Sequence, residues 1–205
     1  MSIYLYLKFC FFASLLSALP GPTILIIIHY TLIYGRESAK YSIPGSICGD
    51  VIALTLSFTI IKTFMDNFLE TMDNFQTLGG IYLILIGLYY LFSKPEYIIQ
   101  EKEKEKIGHY KVFLHVFLIT AFNPKTIAFM LAFFPQFIEF NKSFYQQILL
   151  ISATFISIGV LYASIYVALA VKVKKFLRNH TKQLQIQRIT GIILLLFGSS
   201  VFNYF

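Results

Sequence analysis

Charged residues are scarce in this chain of 205 residues: they make up 13% of it, against about 25% in an ordinary soluble domain. Apolar residues account for 57%, and the mean hydropathy is +0.70. So few charges cannot cover a water-soluble surface, and disorder requires the opposite composition. The net charge of +7 would indicate nucleic-acid binding only if it lay on a soluble basic face. The composition predicts an integral membrane protein that does not bind nucleic acid.

Tryptophan is absent, and the chain has only two cysteines, Cys10 and Cys48. Without tryptophan, the aromatic belts at the membrane surfaces must be built from tyrosine. The two cysteines are far apart in the sequence and form no CxxC motif, so nothing indicates a disulfide or a thiol-redox centre. An HExxH cluster, which an intramembrane metalloprotease would need, is also missing. We expect a protein that is not an enzyme and holds no cofactor and no metal.

Six stretches with almost no charged residues are long enough to cross a bilayer as helices, which takes about 20 residues. They show no strong alternation with period two, so an all-α membrane protein is predicted instead of a β-barrel. A charged segment at 94–111, with alternating Glu and Lys from Glu101 to Lys106, divides them into two groups within 1–93 and 112–205. The predicted spans are about 9–34, 41–62 and 74–93 in the first group, and 112–138, 143–171 and 189–205 in the second.

The two groups carry similar patterns in the same order. Gly80–Gly87 in the third span and Gly191–Gly198 in the sixth both place six apolar residues between two glycines. Pro22–Ile24 in the first span and Pro124–Ile127 in the fourth both place a proline within the membrane. Two repeats of three spans must have opposite orientations in the membrane. The sequence therefore predicts two inverted three-helix repeats, an architecture found in many secondary transporters.

Lysine and arginine are distributed unevenly between the connecting segments. If the N-terminus lies outside, the cytoplasmic loops hold 13 of these residues and the outer segments hold three. Because basic residues accumulate on the cytoplasmic side, this topology is strongly favoured. Both termini of this multi-pass protein are predicted to lie on the outer side of the membrane.

Prolines interrupt two spans at membrane depth, at Pro20-Gly21-Pro22 and at Asn123-Pro124-Lys125. Each proline removes a backbone donor and clashes with the preceding turn. Irregular backbone at this depth is tolerated only where it is buried in protein or lines a water-filled cavity. We therefore predict a polar cavity at the two breaks.

Asp50 is the only carboxylate well inside a predicted span, and Lys125 is the only cation there. A charge at the bilayer centre costs at least ~2.5–3.5 kcal/mol on insertion scales, so both side chains should face the interior, and mutual pairing is the simplest expectation. Ser46 and Asp50 lie on one polar helical face. Gly45 and Gly49 form a small-xxx-small pair for close helix packing. A purely structural ion pair is the alternative to a transport role.

In order and spacing, these motifs resemble the lysine/homoserine exporter family, the LysE/RhtB type of amino-acid efflux transporters. The motifs that carry the resemblance are Pro20-Gly21-Pro22, Gly35-Arg36, Gly45-Ser46-Ile47-Cys48-Gly49-Asp50, Asn123-Pro124-Lys125 and Phe134-Pro135-Gln136-Phe137. The resemblance implies a six-helix exporter of amino acids or related small metabolites in the bacterial cytoplasmic (inner) membrane, driven by the proton gradient. Thr23 stands where the family often has Asn or Asp, which bears on the substrate more than on the fold.

An amino acid presents a carboxylate and an ammonium group, and the predicted cavity offers partners for both. Helix N-termini after Pro22 and Pro124 can present amides to the carboxylate, and Lys125 adds a charge. Asp50 and the carbonyls freed before Pro20 can meet the ammonium. If Asp50 binds either a proton or the ammonium, proton entry and substrate exit are coupled in an antiport by alternating access.

The predicted pathway for substrate and protons comprises Pro20, Gly21, Pro22, Thr23, Ser46, Asp50, Asn123, Pro124 and Lys125. Two other functions stay open at this point, an exporter of inorganic or metal ions on a related fold and a membrane-embedded redox protein. The expected partners are a small-molecule substrate, protons and the lipid bilayer, and a homodimer through glycine faces is possible.

Overall fold

The structure is a computed structural model and describes residues 1–67, 72–93, 108–139, 141–177 and 179–202. Within these ranges the chain is helical and contains no β-strand, so the predicted all-α class is confirmed. Residues 94–107 of the predicted charged linker lie outside the described ranges. The described α-helices are, in order, α1 (Ile3–Ala18), α2 (Pro22–Tyr34), α3 (Ala39–Asn67), α4 (Met72–Phe92), α5 (His109–Ala121), α6 (Pro124–Phe133), α7 (Phe144–Leu177) and α8 (His180–Phe202).

Four helical segments in the described ranges are long and apolar enough to cross a membrane, namely Arg36–Thr63, His109–Phe137, Phe144–Lys172 and Thr181–Phe202. The pair α1 and α2 qualifies as a fifth span if its two bent halves are counted together. The remaining predicted span corresponds to α4, whose apolar section Thr77–Phe92 is shorter. The fold is therefore that of a helical membrane protein with four or five candidate spans.

Several helices extend beyond the predicted spans. The first begins at Ile3 instead of Phe9, α7 continues to Leu177, and α8 begins at His180 instead of Ile189. The added turns carry lysine and arginine residues, and such residues are favoured at the ends of membrane helices because their long side chains can extend to water. A charge-free stretch therefore marks the apolar section of each helix and not its ends.

The two glycine patterns meet in the structure, because α4 and α8 contact each other more extensively than any other pair of described helices. A Cβ atom on Gly198 would lie 2.7 Å from the carbonyl oxygen of Gly80, and one on Gly191 would lie 2.7 Å from that of Gly87. Since the first glycine of one helix faces the second glycine of the other, α4 and α8 run antiparallel. The backbones touch at both crossing points and leave no room for a side chain.

We expect Gly87→Ala to destabilise the protein. The new Cβ would lie 2.9 Å from the carbonyl oxygen of Gly191 and 2.9 Å from Cγ of Leu195, and overpacking of this kind typically costs about 1–3 kcal/mol. Thermal unfolding in detergent, followed as the fraction that stays monodisperse after heating, measures the effect. The matched control is Gly159→Ala, whose Cβ has only one neighbour within 4 Å, at 3.6 Å. Equal stability of the two variants would contradict the predicted clash.

Two apolar clusters occupy different levels of the bundle. The larger is rich in phenylalanine and joins α1, α3, α4, α6, α7 and α8, and Phe9, Leu54, Phe129 and Phe155 belong to it. The smaller joins α2, α5 and α7. The breaks between α1 and α2 and between α5 and α6 lie at the junction of these clusters. This junction is where the predicted functional residues collect.

Candidate functional site

Both predicted breaks are present, and each begins a new helix with a proline. The helix α1 ends at Ala18, and α2 starts at Pro22 with an axis bent by 49°. The helix α5 ends at Ala121, and α6 starts at Pro124. Proline suits the first position of a helix because the amide it lacks would have no partner there in any case. The sequence thus builds two half-helices whose N-termini lie at membrane depth.

Lys125 caps the C-terminal end of α1. Its ammonium donates hydrogen bonds to the carbonyl oxygens of Leu16, at 3.0 Å, and Leu19, at 2.9 Å, and the residue is buried. The Tyr166 hydroxyl donates to the carbonyl oxygen of Ala18 at 2.7 Å. The carbonyls expected to be available to a substrate ammonium are therefore occupied by side chains from the other half of the chain. A cation at a helix C-terminus also has a favourable interaction with the helix dipole.

Gly21 is positioned against the same ammonium. A Cβ atom on this residue would lie 3.1 Å from Lys125 Nζ and 3.2 Å from its Cε, and both distances are shorter than an ordinary van der Waals contact of a Cβ atom. The glycine between the two prolines therefore leaves the space that the lysine head occupies. The Pro-Gly-Pro motif and Lys125 form one structural unit.

Asn123 links the two breaks. Its Oδ1 accepts a hydrogen bond from the backbone amide of Lys125 at 3.1 Å, which caps the N-terminus of α6. Its Nδ2 donates to the hydroxyl oxygen of Thr23, at 3.2 Å, in the first turn of α2. The Thr120 hydroxyl lies 3.1 Å from the same Thr23 oxygen. The first amides of α2 have no such side-chain cap, because the residue before Pro22 is a glycine.

Asp50 enters the site from α3, whose small and polar face is turned inward. Ser46 and Ala53, on either side of Asp50, are buried. Gly45 and Gly49 lie against α5, where a Cβ on Gly45 would meet the Phe113 carbonyl oxygen at 2.6 Å. Opposite Asp50 stands Gly159 of α7, and a Cβ there would lie 3.6 Å from Asp50 Oδ2. A side chain as small as alanine at this position would be in ordinary van der Waals contact with the carboxylate.

These groups line one cavity of about 60 Å³, which is large enough to hold water. The lining side chains come from α1, α2, α3, α6 and α7 and include Thr23, Ser46, Asp50, Asn123 and Lys125. Asp50 and Lys125 share this cavity, but no ion pair within 4.0 Å joins them among the ion pairs of the described residues. The expected direct pairing is not formed, because the lysine head reaches the end of α1 instead.

The structure adds site residues that the sequence did not indicate, namely Ser17, Thr120, Phe155, Gly159 and Tyr166. All are common residue types in apolar helices, and no local pattern distinguishes them from structural positions. Three or more His, Cys, Asp or Glu residues do not come together as a possible metal site in the part of the chain that the structure describes. Cys10 and Cys48 are free thiols.

Comparison with known proteins identifies the family of this chain. Residues 14–203 match the family of LysE type translocators. The chain is also similar to an uncharacterized membrane protein, YrhP, of Bacillus subtilis (strain 168), with 29% identity over 199 residues that cover 91% of this chain and 92% of that protein. No solved structure matches the chain. Because the family match spans nearly the whole sequence, the chain belongs to the LysE type translocator family of membrane transport proteins.

Proposed function

We propose that this translocator is a secondary active exporter of amino acids or related small metabolites, which exchanges its substrate for protons. The observation that carries the proposal is the cavity at the two broken helices, which is lined both by Asp50 and by Thr23 of the first turn of α2, a helix N-terminus that has no side-chain cap. Membership of a translocator family agrees with the expectation that the protein is not an enzyme.

The two ends of an amino acid have separate partners in this cavity. The uncapped first amides of α2 and the positive end of its dipole favour a carboxylate beside Thr23. The N-terminus of α6 is less available, since the Asn123 side chain already accepts from the Lys125 amide. Asp50 supplies the negative charge for the ammonium group. We therefore assign carboxylate binding to α2 and ammonium binding to α3.

Lys125 has a structural role in addition to the one expected from sequence. Two of its three N–H donors are committed to Leu16 and Leu19, which leaves one for the cavity. Its charge still lies on the wall of the cavity and attracts an anionic group. We propose that Lys125 caps the end of α1 and also contributes to carboxylate binding.

We propose that the chain forms two inverted three-helix repeats, within 1–93 and 112–205, that rock against each other. Each half contains a broken helix, then a long helix, then a helix with a pair of glycines seven residues apart, in the same order. The antiparallel contact of Gly80 with Gly198 and of Gly87 with Gly191 supports this arrangement. Rocking of such repeats around a central site gives alternating access. The proposed location is the bacterial cytoplasmic membrane, with both termini outside.

Coupling to protons follows from the position of Asp50. A carboxylate at this depth is stabilised by binding a proton or a cationic group, and Lys125 does not form an ion pair with it. In the proposed cycle, the outward-facing state binds a proton on Asp50, and the inward-facing state exchanges it for the substrate ammonium. One site that binds either ligand, but not both, produces antiport.

Efflux from cells loaded with dipeptides tests the proposed function. Hydrolysis of the dipeptides inside the cell raises every supplied amino acid, and the medium is then assayed for each of them. We expect faster release of a subset of amino acids from cells that express the protein, and loss of the difference when a protonophore is added. Release equal to that of cells without the protein, for all amino acids tested, would contradict the proposal.

A further inference from the structure

A second cavity lies beside the central one, between α3 and α7. Its volume is about 420 Å³, and its walls are the part of α3 that follows Asp50 and the first part of α7. Lys62 of α3 and Tyr145 of α7 line it near one end of both helices. According to the predicted topology, this end is the outer one. We call this space the α3/α7 groove.

The α3/α7 groove continues the central cavity along the same two helices. Asp50 lines the central cavity, and the next residue along α3, Val51, lines the groove. On α7, Phe155 lines the central cavity and Ile156 lines the groove. Leu54, one turn after Asp50, also faces the groove and is buried. The two spaces are therefore separated by about one helical turn, at the level of Leu54 and Phe155.

Polar side chains in the α3/α7 groove distinguish it from an ordinary lipid-facing crevice. Thr55, Thr59, Thr63 and Ser152 place hydroxyl groups along it, and Lys62 lies near its outer end. The threonine hydroxyls donate to backbone carbonyls one turn earlier, at 2.7–2.8 Å. The hydroxyl oxygens of Thr55 and Thr59 retain acceptor capacity for water or for an ammonium group. Polar residues at membrane depth normally face a water-filled space or the bundle interior.

The opposite, predicted cytoplasmic, half of these helices has a different packing. There α7 contacts α2, through the buried residues Ile27, Ala163 and Val167 of the smaller cluster, and α3 contacts α5. The Tyr30 hydroxyl and Nδ1 of His115 lie 2.6 Å apart and bridge α2 to α5. On the predicted cytoplasmic side of Asp50, α2 and α5 thus pack against α7 and α3. On the predicted outer side, the space between α3 and α7 is open.

We infer that the α3/α7 groove is the route by which substrate leaves toward the outer side, and that Leu54 and Phe155 form the barrier between this route and the Asp50 site. The identity of the substrate rests on the proposed function. Whether water fills the groove does not depend on it. The two statements can therefore fail separately.

Accessibility of single cysteines tests the route, in right-side-out membrane vesicles and in a variant without the two native cysteines. Thr59→Cys and Ser152→Cys place thiols in the groove. Ile60→Cys and Leu149→Cys place them at similar depth on the same helices, on exposed side chains that do not line the groove. With a charged, membrane-impermeant methanethiosulfonate, we expect the two groove cysteines to react at least about tenfold faster than the two lipid-facing ones. The reactive species is the thiolate, and apolar surroundings disfavour its formation.

Equally slow reaction at all four positions would overturn the route, because lipid would then fill the groove. Reaction only in inside-out vesicles would also overturn it, since the groove would open to the cytoplasm. Fast reaction at the groove positions, in a protein that transports no amino acid, would support the route and contradict the proposed substrate.

The barrier is tested with a cysteine in the central cavity, Ser46→Cys, probed from the outer side. We expect Phe155→Ala or Leu54→Ala to accelerate its modification, because either change shortens a side chain between the two cavities. The control is Leu161→Ala on the exposed face of α7, which should have no effect. Unchanged modification in both barrier variants, with each protein monodisperse in detergent, would overturn the barrier assignment.

Discussion

Asp50→Asn should eliminate the response of transport to a proton gradient and leave a folded protein. The asparagine keeps the size of the side chain but can neither take up a proton nor balance an ammonium charge. We expect the rate of efflux from proteoliposomes under an imposed pH gradient to fall to the rate without a gradient. The measurement is the release of the amino acids identified by the dipeptide assay.

A matched exchange of carboxylate for amide controls for general effects. Glu37→Gln changes an exposed carboxylate that pairs with Lys40 and does not line the central cavity, and it should retain the response to the gradient. Thermal unfolding in detergent separates loss of coupling from loss of fold. A gradient response in Asp50→Asn equal to that of the wild type would remove Asp50 from the coupling mechanism.

Lys125→Met should be among the most destabilising single substitutions in the protein. Methionine preserves much of the apolar stem but removes both hydrogen bonds from the ammonium. The buried Leu19 carbonyl then loses its donor, and the Leu16 carbonyl keeps only the Leu19 amide, at 3.3 Å. Hydrogen bonds from a charged group contribute about 1.5–3 kcal/mol each, so a loss on the order of 3 kcal/mol or more is expected. Thermal unfolding in detergent, without substrate, measures the effect.

Tyr166→Phe provides the comparison, because it removes one hydrogen bond from the same helix end. The lost bond, from the Tyr166 hydroxyl to the Ala18 carbonyl, is uncharged and should contribute about 1 kcal/mol. We therefore expect a clearly smaller loss of stability than in Lys125→Met. If Lys125 served only the substrate, Lys125→Met would lose transport and retain wild-type stability, and the structural role would be refuted.

Features that depend on local chemistry were predictable from the sequence. The breaks follow from the missing amide of proline, which acts within one turn of the helix. Asp50 and Lys125 stood out because a charge within an apolar stretch is costly wherever the helix packs. The match between Gly80–Gly87 and Gly191–Gly198 was visible as a pattern, although the sequence did not indicate that these two helices would contact each other.

The partners of these groups were not predictable. Pairing of Asp50 with Lys125 was expected because they were the two charges in the spans, yet the lysine is bound to two backbone carbonyls. Any helix end offers such carbonyls, and the sequence does not show which cation reaches which end. No sequence pattern around Tyr166 and Gly159 identifies them as site residues, since tyrosine and glycine are common in membrane helices.

By itself, the sequence determined that this protein lies in a membrane, where its helices are interrupted and which two charged residues need an interior partner. These properties follow from the energies of single side chains and single turns in a bilayer. The tertiary structure alone decided that Lys125 and Tyr166 close the end of α1, across 106 and 148 residues of sequence. Hydrogen bonds over such separations form only when the packing of several helices brings donor and acceptor within about 3 Å, and no local pattern encodes that distance.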